Sequence, residues 1–356
     1  MLPVILAYRI AAQRDSPSND GSSWMLSIMA APRSGRTIPA VKMAVLRLKC
    51  LSLPIAVGDF AAQQRFIQRN AGFLLEYPKL RDLYEKVFLR SLKPSDQSEK
   101  EPLLRLPEDH PTVIAFEDKV MADLAIFYLG RMAVDDFGEL LTLSGNGRGF
   151  GAYKILRGMY ERTVTAMYLA KHPTEARNFA ESSAIMKRNY LTRVRTVPET
   201  EGHVSDEVMQ KVEENAAAVQ AKRKQSICSK CRQPITQDAW TRVSMDTMAN
   251  EVDPFLGLHY HEFYLETTAQ SHPNMFGLER RLVPMEGGGY TYKEISEDEA
   301  RFALYLGHNL MIRLLVLQND RFQLGLDAEL KERAKGFGSA WGADTPKDPE
   351  PVSEEV

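Results

Sequence analysis

From Thr112 to Leu143 the chain reads TVIAFEDKVMADLAIFYLGRMAVDDFGELLTL, a proline-free run with apolar residues on the helical period. SGNGRGFG, with four glycines in eight residues, breaks it. A second, nearly all-apolar helix, YKILRGMYERTVTAMYLAKHP, follows from Tyr153 to Pro173. With two such helices in succession and strand signals nearly absent elsewhere, the chain is restricted to an all-α fold. The expectation is a multi-helix bundle of roughly seven to nine helices.

The remaining segments read the same way. DFAAQQRFIQRNAGFLLEY predicts a helix that Pro78 ends, and LRDLYEKVFLRSL a short one after it. KPSDQSEKEPLLRLPEDHP is a proline-rich loop, so an N-terminal helix pair and loop at 56–110 precede a main bundle at 111–335. TEARNFAESSAIMKRNYLTRVRT restarts directly after Pro173, with Thr174 as its N-cap. SDEVMQKVEENAAAVQAKRKQ, ITQDAWTRVSMDTMANEV and PFLGLHYHEFYLETTAQSHP are further helices, and MEGGGYTY is a hairpin-like tip. SEDEARFALYLGHNLMIRLLVLQND opens with Ser296 and Glu299 in capping-box spacing. Residues 1–55, with seven Lys/Arg, two Asp and no clean periodicity, read as a disordered extension, a mistaken start or a targeting leader. Residues 336–356 read as a disordered acidic tail.

Composition narrows function by exclusion. A formal net charge of −2 gives no global drive toward nucleic acid or anionic lipid, though a local basic groove escapes such an average. Three cysteines are too few for a secreted disulfide framework. No apolar run reaches the roughly 18 residues of a membrane span. A soluble, cytoplasmic protein without a membrane partner is expected.

Candidate chemistry sits in four places. Arg157 and Glu161 are i, i+4 neighbours in the second long helix, with Arg157 inside the apolar arc between Val164 and Tyr168. The pair is a packed clasp, or Arg157 is an anion contact within an active site. In YHEFYLETTAQSHPNMFG, Tyr260, Tyr264 and Ser271 or His272 fall on neighbouring turns, and His272 before Pro273 sits at a helix C-terminus. The dipole there favours an imidazolium, which acts as general acid or base or merely caps the last carbonyls. His259 and His261 alternate faces and cannot share one metal from an unbroken helix. Arg301 and His308, in RFALYLGH, fit the R-x4-6-H spacing found among HEPN-type ribonucleases, a weak signal because arginine is common.

Cys228 and Cys231, in QSICSKCRQPIT, have the bite of half a zinc site; the alternatives are bare thiols or a labile disulfide. A second chain supplying the other two thiolates makes a homodimer one way to complete it. MKRNYLTRVR interleaves Tyr190 with Lys187, Arg188, Arg193 and Arg195, as an RNA-contacting helix does, or as a solvated charged face does. SGNGRGFG follows no strand and lacks Lys-Ser/Thr, which argues against a phosphate loop.

GAYKILRGMYERTVTAMYLAKHPTEARNFAE, followed by AW, MA and YHEFYLETTAQSHPNM, resembles the bacterial family called domain of unknown function 5677, over roughly Asp118 to Gln318. The resemblance implies a helical bundle in which an R-x3-E helix and a late Tyr…Ser-His element recur. That family has no established reaction, so the resemblance bears on fold rather than function. Two functional classes follow. One is a non-enzymatic scaffold or regulatory protein. The other is a HEPN-like RNA-binding protein or ribonuclease using Arg157, Glu161, His272 or His308, with Tyr264, Ser271 and Arg301 as substrate contacts.

Overall fold

The computed structural model describes residues 60–88, 107, 110–197, 204–223, 226–227, 234–235, 239–293 and 295–344. Readings made on 1–55, on the end of the acidic tail and on Cys228 and Cys231 fall outside these residues. Within them the all-α expectation holds.

The first helix, α1 (Phe60–Arg69), passes through Asn70 into α2 (Ala71–Phe88). The break comes at Asn70, whose side chain turns back to the Phe66 carbonyl at 2.9 Å. Pro78 does not end the helix but lies inside α2. Burial of Leu80, Leu83 and Val87 just after it outweighs the lost backbone bond. These side chains share one core with the later helices, so α1 and α2 pack into the bundle. Pro78→Ala restores the missing N–H, and we expect it to raise stability by about 1 kcal/mol in urea unfolding. A lower midpoint would mean that the proline bend is needed for packing.

Two long helices form the centre, α3 (Pro111–Gly145) and α4 (Gly149–Lys171). Pro111 suits the first position of α3, and the His110 ring accepts the Thr112 N–H at 3.2 Å. The glycine-rich break is shorter than its sequence suggests, because Ser144 and Gly145 still belong to α3 and Gly149 to Gly151 already belong to α4. Gly147 supplies the turn at φ +69°.

Next come α5 (Glu175–Arg195) and α6 (Asp206–Lys222), which pack on each other. Thr174 makes no side-chain cap; the His172 and Pro173 carbonyls already accept the Glu175 and Ala176 N–H groups. An antiparallel ribbon of β1 (Ser226–Ile227) and β2 (Pro234–Ile235) follows, and the stretch between them contains the two cysteines. The helix expected from ITQDAW onward is only α7 (Met245–Val252). Trp240, edge-on against Tyr168 and Phe179, lies in the non-helical residues 239–244 that precede it.

The last expected helix before the hairpin is a composite. It consists of α8 (Pro254–His259), a π-helical turn at Tyr260–Tyr264, and α9 (Leu265–Ser271). A short α10 (Met275–Glu279) leads into the predicted hairpin, β3 (Leu282–Pro284) and β4 (Tyr290–Tyr292), turned by Gly287, Gly288 and Gly289 at positive φ.

Finally α11 (Glu297–Phe322) packs against both α3 and α4. Ser296 precedes it without the predicted side-chain cap, and its backbone N–H is docked on the Gly147 carbonyl at 2.9 Å. By length and composition α11 is apolar enough to cross a membrane, yet Leu304, Leu310, Met311, Leu314 and Leu315 are fully buried in the bundle. The closing helix, α12 (Asp327–Asp344), runs past the expected boundary at 335. Phe337 and Trp341 anchor that extension by packing on Tyr305.

Candidate functional site

The half-buried face of α4 meets the composite helix between its π turn and the end of α9, and there four predicted site residues converge. Arg157 Nε donates to Glu161 Oε1 at 3.0 Å, one helical turn along. Their side chains keep 25% and 37% of their exposure, so the pair is neither sealed nor freely solvated. From the other element Tyr264 donates its hydroxyl to the same Glu161 oxygen at 2.7 Å. Arg157 Nη1 lies 3.1 Å from His272 Nε2.

The π turn helps place these groups. A π turn inserts an extra residue into a helix and re-aims the side chains beyond it. Here Tyr260 and Tyr264 stack at 4.9 Å, and Tyr264 also rests against Tyr160. Tyr160 is fixed in turn, its hydroxyl donating to the Leu256 carbonyl at 2.7 Å. The Arg157 guanidinium carbon lies 5.4 Å from the Tyr264 ring centroid, near enough for a cation–π contribution.

Electrostatics follow from this packing. Burial, then the hydrogen bond to Glu161, pushes the Tyr264 hydroxyl up to about 12, so it stays protonated and serves as a donor. Burial works against the Arg157 charge, but the hydrogen bond and charge of Glu161 and the neighbouring Tyr264 more than offset it and raise its pKa. A guanidinium has only donors, so the Arg157 contact requires the lone pair of His272 Nε2 and a neutral imidazole. The ring does not cap the helix. The His272 backbone N–H closes α9 on the Thr268 carbonyl, and Asn274 holds the His272 carbonyl at 2.8 Å.

The other predicted residues lie elsewhere. Ser271 turns its hydroxyl back to the Thr267 carbonyl at 2.7 Å, within its own helix. His308 does not join the cluster: it is 1% exposed, stacked on Phe337 and edge-on to Phe137. Arg301 places its guanidinium 5.0 Å from the Trp341 ring centroid. The R-x6-H spacing therefore faces α12, not a shared cleft with Arg157. His259 is buried beside Glu262, whereas His261 is exposed beside Asp246. No cluster of three His, Cys, Asp or Glu suited to a metal occurs among the described residues. On α5, Arg188 bonds Gln220 and Arg195 pairs with Asp206, while Tyr190 is exposed.

Sequence reasoning missed Tyr160 and Asn274 as supports. The pattern signals Tyr160 only as a core residue, and Asn274 only as a polar residue after Pro273.

No curated protein and no solved structure matches the chain. A family model does, and its match contains Arg157, Glu161, Tyr264 and His272 but stops before α11 and His308. Residues 123–290 match the model of a family of unknown function, DUF5677.

Proposed function

We propose that this is an RNA-directed protein, a metal-independent ribonuclease whose working centre is the Arg157–Glu161–Tyr264–His272 cluster. The observation that carries this reading is the 3.1 Å approach of His272 to Arg157, which gathers a cation, a carboxylate and an imidazole at one half-exposed point. The three groups match the needs of phosphodiester cleavage by a neighbouring hydroxyl. Glu161 takes the proton of the ribose 2′-hydroxyl, and the freed oxygen attacks phosphorus. The bond from phosphorus to the 5′-oxygen breaks, and His272 in its protonated form gives that oxygen a proton. Arg157 neutralises the charge that gathers on the phosphoryl oxygens. The products are a 2′,3′-cyclic phosphate and a 5′-hydroxyl end. Tyr264 acts through Glu161 and keeps the carboxylate oriented. Because Arg157 occupies the His272 lone pair in the free protein, the arriving phosphate first draws the guanidinium away, after which His272 takes up its proton.

One observation favours a second reading, a non-enzymatic scaffold or regulatory protein. Glu161 already neutralises Arg157, and Tyr264 pins Glu161, so the same bonds clasp α4 to α9 without any ligand. The two readings separate in one experiment. Purified protein is incubated with single-stranded RNA in a chelator, beside Arg157→Ala, Glu161→Gln and His272→Ala. We expect cleavage by the parent, loss in each folded variant, and no cleavage of DNA of the same sequence. Equal cleavage by all four proteins means a contaminating nuclease and sinks the ribonuclease. No cleavage by any of them leaves the clasp, whose loss then shows only in melting temperature.

A further inference from the structure

Seven of the eighteen large apolar side chains exposed among the described residues fall between Met275 and Tyr292. A concentration of this kind marks a binding face rather than scattered surface residues. It comprises α10 and the β3–β4 hairpin, with Phe276 55%, Tyr290 68% and Tyr292 50% exposed. We propose that this face is a stacking platform for the bases of single-stranded RNA leading into the Arg157–His272 point. The proposal rests on the ribonuclease reading and adds the substrate's strandedness to it.

Three features select this occupant. The first is chemistry: exposed Tyr290 and Tyr292 stand beside Arg281, aromatic rings next to a cation, as bases and phosphates require. Arg281 donates from Nη1 to the Tyr292 hydroxyl at 2.7 Å, and its guanidinium carbon lies 4.6 Å from the Phe150 ring centroid and 5.7 Å from that of Tyr292. The second is continuity. Arg281 Nε also donates to Gln270 Oε1 on α9 at 3.1 Å, which ties the hairpin to the helix that ends at His272. From Phe150 the same face of α4 leads through Lys154 to Arg157, seven residues or about 10 Å along the axis. At roughly 3.4 Å per stacked nucleotide, about three nucleotides span that distance. The third is the tip. Glu286 stands in the glycine turn, where a membrane anchor would have to enter lipid.

The test is fluorescence anisotropy of a labelled oligouridylate carrying 2′-O-methyl groups, which cannot be cleaved. The full chain is compared with Tyr290→Ala/Tyr292→Ala and with Tyr290→Trp/Tyr292→Trp. Loss of stacking should weaken binding about tenfold for each base released, and the tryptophan variant should restore it, which a folding defect would not allow. A duplex of the same length should bind less well than the single strand. Unchanged affinity in the alanine variant, or equal binding of duplex, overturns the platform. So does binding of phosphatidylcholine/phosphatidylserine vesicles, or self-association in sedimentation, if the alanine substitutions abolish it while RNA affinity stays the same. If the parent cleaves RNA while the alanine variant binds normally, only the platform fails. If stacking variants lose affinity but the parent never cleaves, only the ribonuclease fails. A parent that neither binds nor cleaves RNA overturns both.

Discussion

Lowering the pH from about 7 to 4 should cost the folded protein about 3 kcal/mol through His308 alone. The ring is 1% exposed, its Nδ1 lies 2.7 Å from the Leu304 carbonyl, and Phe137 and Phe337 pack against it. Burial pushes the imidazole down to about 4, although the Leu304 carbonyl and the charge of Glu76 pull the other way. In the unfolded chain the same group titrates near 6.5. Above that value both states are neutral and the contribution is complete. As the pH falls below it, the unfolded chain takes up a proton that the folded core refuses until about 4, so stability drains away across that window. Carboxylates titrate in the same range, so the readout is a difference. Urea unfolding across the window should show a shallower loss for His308→Phe than for the parent, even if the variant is less stable at neutral pH. Identical pH slopes would show that His308 is not sealed in the core.

His308 also shows where sequence pattern loses its grip. R-x6-H on an apolar helix looks the same whether the histidine faces a cleft or a ring stack, because the choice is made by α12. That helix was hard to read because its anchors, Phe337 and Trp341, sit close to an acidic tail. The central pair α3 and α4 was legible because apolar spacing sustained over so many turns has no other physical solution. Arg157 with Glu161 was legible for a local reason, since i, i+4 neighbours meet on any α-helix. Their meeting with Tyr264 and His272 is tertiary. The π turn beneath it leaves almost no trace, because one extra residue barely disturbs the apolar period of YHEFYLETT. The missed caps at Thr174 and Ser296 have separate settings: the Pro173 carbonyl takes the Ala176 N–H that Thr174 would have served, whereas Ser296 is docked through its own N–H on the Gly147 carbonyl.

Two glycines in the first turn of α4 should respond to the same substitution with opposite signs. At Gly149 an added Cβ would lie 2.4 Å from the Ala300 nitrogen and 2.5 Å from the Ser296 carbonyl oxygen, both backbone atoms. Neither can rotate away, so Gly149→Ala must push α4 off the start of α11. Overpacking against backbone should destabilise the protein by about 3 kcal/mol, more than the roughly 1 kcal/mol that alanine gains in helix propensity. At Gly151 the nearest atom to an added Cβ is a Leu143 methyl at 3.5 Å, an ordinary contact. Gly151→Ala should therefore stabilise by about 0.5–1 kcal/mol, through propensity and a less flexible unfolded chain. Thermal unfolding of the two variants decides the matter. The same contact links the break in SGNGRGFG to the site: the Gly147 carbonyl accepts the Ser296 N–H at 2.9 Å, fixing the start of α4 against α11. Arg157 is presented from the middle of that fixed helix. If Gly149→Ala were as stable as Gly151→Ala, the close approach of α4 to α11 would be wrong, and with it the rigid base from which Arg157 reaches His272.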